Sequence, residues 1–265
     1  MVSHYETLTE EANHLAEQLF GDDIKKRTNF ASRLMDICSR ASGKDFLLIH
    51  NPGGWGTTNL EGLLQWEKSI VEGVSTTMEK LGYNCSFMQY FRSSHGWRAV
   101  VEDIGEQTHF FISKARIMAA ELEFVTRHFG NLQVIMIGVS QGAAFSNAVL
   151  QRLNGLDRVA SIELGTPSPY KSRRVISERT LALDSNGLMP DALMEWDIPT
   201  ITKTFLSAPF RWTKYRLQGK RVKFTYCINL PGHDYNWDYP EVQRKVEEFL
   251  NLNFGNKNNV EVETQ

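Results

Sequence analysis

Apolar residues fall along this chain in two rhythms that take turns from about residue 44 onward. Short runs rich in β-branched and aromatic residues read as buried strands: Asp45–His50 (DFLLIH), Cys85–Phe91 (CSFMQYF), Val134–Val139, Arg158–Leu164, Thr180–Leu183 and Val222–Ile228. Between them the apolar spacing changes to three and four. Leu64, Ile70, Val71, Val74 and Met78 mark a helix over about Glu61–Lys80. Val101, Ile104, Phe111, Ala115, Met118, Leu122, Val125 and Phe129 mark a long one from about Glu102 to His128. A third helix follows Ser140 to about Leu153, and the last opens near Pro240 and buries Val242, Val246, Phe249 and Leu250. Strands alternating with helices predict βαβ units and an α/β fold with a mainly parallel central sheet. Function is then expected at the carboxyl ends of the strands.

The two ends follow other patterns. Residues 1–42 read as helical, with Leu8, Ala12, Leu15 and Leu19 on one face and Phe30, Leu34, Ile37 and Cys38 on another. Gly21-Asp22-Asp23 separates the two segments. The domain reading is an N-terminal helical extension over 1–43, an α/β domain over 44–252, and a polar tail over 253–265 that is expected to be disordered.

Composition narrows the classes. With 265 residues, 42% of them hydrophobic, the chain can bury one large core. A formal charge of −2 argues against a dedicated nucleic-acid binder. No apolar run reaches the roughly 18–20 residues of a transmembrane helix, and the N-terminus lacks the basic-then-apolar order of a signal peptide. Cys38, Cys85 and Cys227 are three, scattered, and make no disulfide framework, so a reducing, cytoplasmic compartment is expected. No Cys/His cluster has metal-ligand spacing, so no metal or cofactor is expected.

The chemistry concentrates in Val134–Val149, VIMIGVSQGAAFSNAV. A strand runs into Gly138-Val139-Ser140-Gln141-Gly142 and then into a helix of small residues. Glycines on either side of Ser140 allow the tight reversal that holds a serine out on a strained corner. The following helix turns its N-terminal N–H groups towards that serine. With this context the Gly-x-Ser-x-Gly resembles the nucleophile elbow of the α/β-hydrolase superfamily, and the likeness covers about residues 44–252. Leu164-Gly165-Thr166-Pro167-Ser168 is similar to lipase-like members in the same place.

That resemblance implies the α/β-hydrolase fold and a triad in the chain order nucleophile, acid, histidine. Ser140 is the expected nucleophile. Of seven histidines, only His233 follows it, in a Gly-His pair ahead of the closing helix. The acid is expected at Asp184, at the end of TLALD. Pro190 lies six residues after it, a departure from the family's spacing that keeps Asp191 open. The oxyanion donors are expected to be the backbone N–H of Gln141 and one from Gly53, Gly54 or Trp55, since Pro52 has none. His50 reads as a structural histidine.

From Ile198 to His233 there is no acidic residue, while Lys203, Arg211, Lys214, Arg216, Lys220, Arg221 and Lys223 interleave with Phe205, Phe210, Trp212 and Tyr215. This insert, over 196–218, is placed where a lid could cover the pocket, or where a basic aromatic surface could touch anionic membrane. It reads equally well as a solvated helix with its aromatics packed inward. The expectation is a serine hydrolase of esterase or lipase type, acting on a small acyl ester or lipid (a thioester included). The rival is a non-catalytic binding protein on the same scaffold.

Overall fold

The computed structural model describes residues 2–54, 56, 62–92, 105–153, 155–220, 222, 224–255 and 257. Helices α1 (Val2–Phe20) and α2 (Ile24–Ala41) meet at the expected break. Asp23 starts α2 by accepting the Lys26 N–H at 3.0 Å. Then come β1 (Phe46–Asn51), α3 (Gln65–Lys80), β2 (Cys85–Gln89), α4 (Ile112–His128), β3 (Gln133–Val139), α5 (Gln141–Leu150), β4 (Val159–Leu164) and β5 (Thr180–Leu183). Helix α6 (Ile198–Leu217) and a 3-10 turn at Phe224–Cys227 lead to the closing α7 (Pro240–Phe254).

The five strands pair in parallel in the order β2-β1-β3-β4-β5. Their alternating side chains face two helical layers. Leu47, Ile49, Val134 and Met136 pack with α1, α2, α4 and α5; Phe46, Leu48, Ile135 and Ile137 pack with α3 and α7. The N-terminal helices belong to the first layer. Ala12 and Ala16 are fully buried, and Arg33 of α2 pairs with the buried Glu121 of α4 at 2.6 Å.

In this strand order the chain reverses direction between β1 and β3, and a crevice opens where loops leave those two strands on opposite sides. The loops at that point are Pro52–Gly54 and the turn at Ser140.

Two sequence expectations are corrected. The described residues of the expected strand at 222–228 do not pair as one: Phe224–Cys227 forms a 3-10 turn. Carbonyls there that a ladder would use are taken by α6, with Arg211 Nη1 donating to Cys227 O and Trp212 Nε1 to Val222 O, both at 3.1 Å. The long helix is interrupted: residues 105–108 form a helical turn, Phe110 and Phe111 both adopt positive φ, and the main helix runs from Ile112. Its expected beginning at Glu102, with Val101 and Ile104, lies outside the described residues, as do Trp55, His95, Arg221, Lys223, Asn256 and residues 258–265. Within 253–265, α7 runs on through Phe254, and Lys257 bonds both carboxylate oxygens of Asp45 at 2.8 Å.

Candidate active site

Ser140 sits where β3 turns into α5, with φ 52° and ψ −118°. That backbone region is costly for a residue with a side chain, and it persists only where its surroundings enforce it. Here they do. Ser140 N–H donates to Leu164 O of β4 at 2.8 Å, while its own carbonyl accepts from Ala143 and Ala144 as α5 begins. A Cβ at Gly142 would fall 1.9 Å from the Asn51 carbonyl oxygen, so the elbow and the end of β1 touch backbone to backbone. Asn51 Nδ2 adds a bond to Ser146 Oγ at 2.7 Å. Gln141 is the first residue of α5, so its N–H has no partner within the helix.

His233 follows the 3-10 turn. Its Nδ1 lies 2.8 Å from Asp191 Oδ2, and Asp191 is fully buried. The same oxygen accepts Tyr235 Oη at 2.7 Å, and Oδ1 accepts the N–H groups of Leu193 and Met194 at 2.9 and 3.3 Å. Every acceptor direction of this carboxylate is thus used, which is what a buried charge requires. The imidazole rests on Gly165: a Cβ there would fall 2.8 Å from His233 Cε1. Gly165 directly follows Leu164, the residue that bonds Ser140. Gly165 therefore has a job that the sequence did not disclose, since its missing side chain leaves room for the imidazole next to the residue that bonds Ser140.

The expectation that Asp184 stands beside His233 is not met. Asp184 ends β5 as expected, but Arg174 takes both its oxygens in a bidentate pair, at 2.6 and 2.8 Å. After it the chain makes one more loop before reaching the histidine. A bridge between Ser185 and Pro190 closes that loop, and Asn186 Oδ1 accepts the Leu188 and Met189 N–H groups. The detour carries Asp191 to His233. Asn186 Nδ2 also donates to Asp234 O at 3.0 Å, tying the two loops together.

On the other side of the crevice, Gly53 comes close to the serine: its ideal Cβ position lies 3.6 Å from Ser140 Cβ. Gly54, at φ 56°, has no neighbour among the described residues where a Cβ would stand. Arg92 fixes this loop by donating to Pro52 O and Gly54 O, each at 2.7 Å, and it lies over the rings of Phe111 and Phe145. His50 is fully buried, with Nδ1 3.2 Å from Gln89 Nε2. Burial, aided by the Arg92 charge, pushes its pKa down to about 3, which keeps it neutral. A second group that the sequence did not single out is Glu67 of α3, whose buried carboxylate accepts the Gly53 N–H and is pushed up to about 7 by desolvation.

Among the described residues, no group of three or more His, Cys, Asp and Glu side chains could hold a metal ion, and no helix is long and apolar enough to cross a membrane. No protein-family model and no curated protein matches the chain. Solved structures do match. One is Trichoderma reesei cutinase in complex with a C11Y4 phosphonate inhibitor, at 15% identity over 92% of this chain and 91% of that chain, with a TM-score of 0.49. At that distance the likeness says nothing of what this chain acts on. The fold stands on its own topology: five parallel strands around a central β3, a strained serine turn after β3, and a histidine loop returning to that turn. This is the α/β-hydrolase fold.

Proposed function

We propose that the chain is a serine hydrolase that cleaves an acyl ester through an acyl-enzyme. The observation that carries this reading is the meeting, across Leu164-Gly165, of a serine in a strained turn with a histidine whose Nδ1 is held by a fully buried aspartate. A serine hydroxyl is a weak nucleophile until a base takes its proton. Asp191 holds His233 Nδ1, which fixes the tautomer and leaves Nε2 as the base. Ser140 Oγ gives its proton to Nε2 and attacks the acyl carbon. The oxyanion is held by the backbone N–H of Gln141 and of Gly53. His233 then returns the proton to the departing alcohol, and water, activated the same way, releases the acid and restores Ser140. Asp184 takes no part; its pair with Arg174 braces the end of β5. Gly54 is left to shape the loop.

The substrate surface is expected beside α6. Phe210 and Leu217 are 78% and 85% exposed, and Phe205 and Leu206 are exposed with them. Lys203, Lys214, Arg216 and Lys220 accompany them on the same helix and the turn after it, with no acidic residue from Ile198 to His233. An apolar face with a basic border suits an anionic lipid surface. Arg211, by contrast, is occupied by Ser207 and Cys227 O.

The test is labelling by a fluorophosphonate probe. The native chain is expected to be labelled at Ser140 and Ser140→Ala not at all. A native chain that is never labelled would favour the non-catalytic binding protein, a reading that the engagement of Gly53 N–H by Glu67 supports.

A further inference from the structure

Glu67 is the third residue of α3, where a glutamate commonly reaches back from the surface to the N-cap N–H. It does accept the Leu64 N–H, at 3.3 Å. Yet its side chain is buried and it also takes the N–H of Gly53. A helix cap needs neither. The ideal Cβ position of Gly53 is 3.4 Å from Glu67 Oε1 and 3.6 Å from Ser140 Cβ, so carboxylate and serine flank one backbone unit. The titratable groups that act on Glu67 electrostatically are His233 of the histidine loop, itself held by Asp191, and Tyr226 of the 3-10 turn. Burial favours the neutral acid; the two N–H groups and His233 favour the carboxylate. The group is therefore poised between its two forms near neutral pH.

We propose that Glu67 is a positioning residue that gates the oxyanion pocket: as a carboxylate it keeps the Gly53 N–H for itself, and as a neutral acid it yields that donor to the acyl oxygen. This rests on the serine-hydrolase reading and adds a regulation of the same site. A carboxylate is a stronger acceptor than a carbonyl, and its charge opposes a second negative oxygen beside it in a dry pocket. Once protonated, Glu67 is the weaker acceptor, and a developing oxyanion wins the N–H. Only the Glu67 proton is exchanged, with solvent, and no other bond at that carboxyl changes.

The experiment is the rate of fluorophosphonate labelling of Ser140 from about pH 5.5 to 9, in the native chain, Glu67→Gln and Glu67→Asp. In the native chain the rate is expected to fall on the alkaline side, approaching about tenfold per pH unit for a single ionisation. Glu67→Gln removes the charge, and Glu67→Asp withdraws it from Gly53; both are expected to hold a level alkaline plateau. A purely structural glutamate would change the rate at every pH alike. A native rate that stays level, or a fall kept at the native midpoint in whichever variant folds, overturns the gate while labelling itself leaves the hydrolase reading standing. Absence of labelling in every chain at every pH overturns both.

Discussion

The turn from β3 into α5 and the helix α6 are of similar length and opposite character. Along Gln133–Leu150 nearly every side chain is buried, and the glycines have no room for a Cβ. Along Ile198–Leu217 only Thr204 and Ala208 are buried, and large apolar residues face outward. Gln133–Leu150 carries no charged residue, whereas Ile198–Leu217 carries Lys203, Arg211, Lys214 and Arg216 among its apolar ones. Partners separate them further. The elbow is clamped by β1, β4 and the helices beside it, whereas α6 leans chiefly on the short turn at Phe224–Cys227. The rigid region is where the proposed chemistry needs fixed geometry, and the exposed one is where a substrate surface can be met without disturbing it.

The largest effect should come from the aspartate that links the two. Asp191→Asn is expected to lower ester turnover by about 10⁴-fold, because the imidazole would lose its orienting charge and tautomer. Asp184→Asn should leave turnover within a few-fold while loosening the end of β5. Steady-state rates of the two variants measured side by side decide this, and equal losses would defeat the assignment. Next is Gly142→Ala. A Cβ driven into the Asn51 carbonyl must displace β1 or the elbow, and a loss of about 3 kcal/mol or more is expected in urea unfolding. Native-like stability would mean that the elbow is softer than its packing implies.

A smaller effect concerns pH. Burial pushes Glu163, bonded to Asn147 within this rigid region, up to about 7 from an ordinary value of 4.5. A raised carboxyl favours folding fully below its unfolded pKa, and that contribution fades as pH climbs to the folded one. Stability should therefore decline between about pH 4.5 and 7, by up to about 1.4 kcal/mol per unit for each such group. Glu67 and Glu121 are raised by burial as well, so Glu163→Gln should flatten only part of the decline, as read from urea midpoints at several pH values. The smallest effect belongs to α6: Phe210→Ser should change stability by no more than about 0.5 kcal/mol. Lys203→Glu with Lys214→Glu should weaken sedimentation with anionic vesicles, and unchanged sedimentation would remove the lipid surface from the picture.

The sequence disclosed the scaffold well, because β-branched runs and three/four spacing report burial that each segment carries locally. The serine turn and His233 were legible for the same reason, as each lies in a compact local pattern. Asp191 was not. The rule that an acid ends its strand points to Asp184, and only the tertiary fold reveals that Arg174 occupies it. The 222–228 segment alternates like a strand, but α6 had already taken its carbonyls. Glu67 carried a visible cue, a Leu-x-x-Glu step ahead of an apolar helix, though that cue marks a cap and says nothing of burial beside a serine. Arg92 gave none, since the Pro52 and Gly54 carbonyls to which it donates lie forty and thirty-eight residues away.

The loop holding Asp191 and the loop holding His233 are fastened to each other directly: Ala192 N–H donates to Pro231 O at 3.1 Å, and Asn186 to Asp234. Helix α6 leaves from one of these loops and the chain returns through the other, so it hangs from the pair as a closed side branch. Lengthening, shortening or rewriting that branch would not separate acid from base. The outer contact surface and the proposed chemistry would then be separable, by changes confined to that branch.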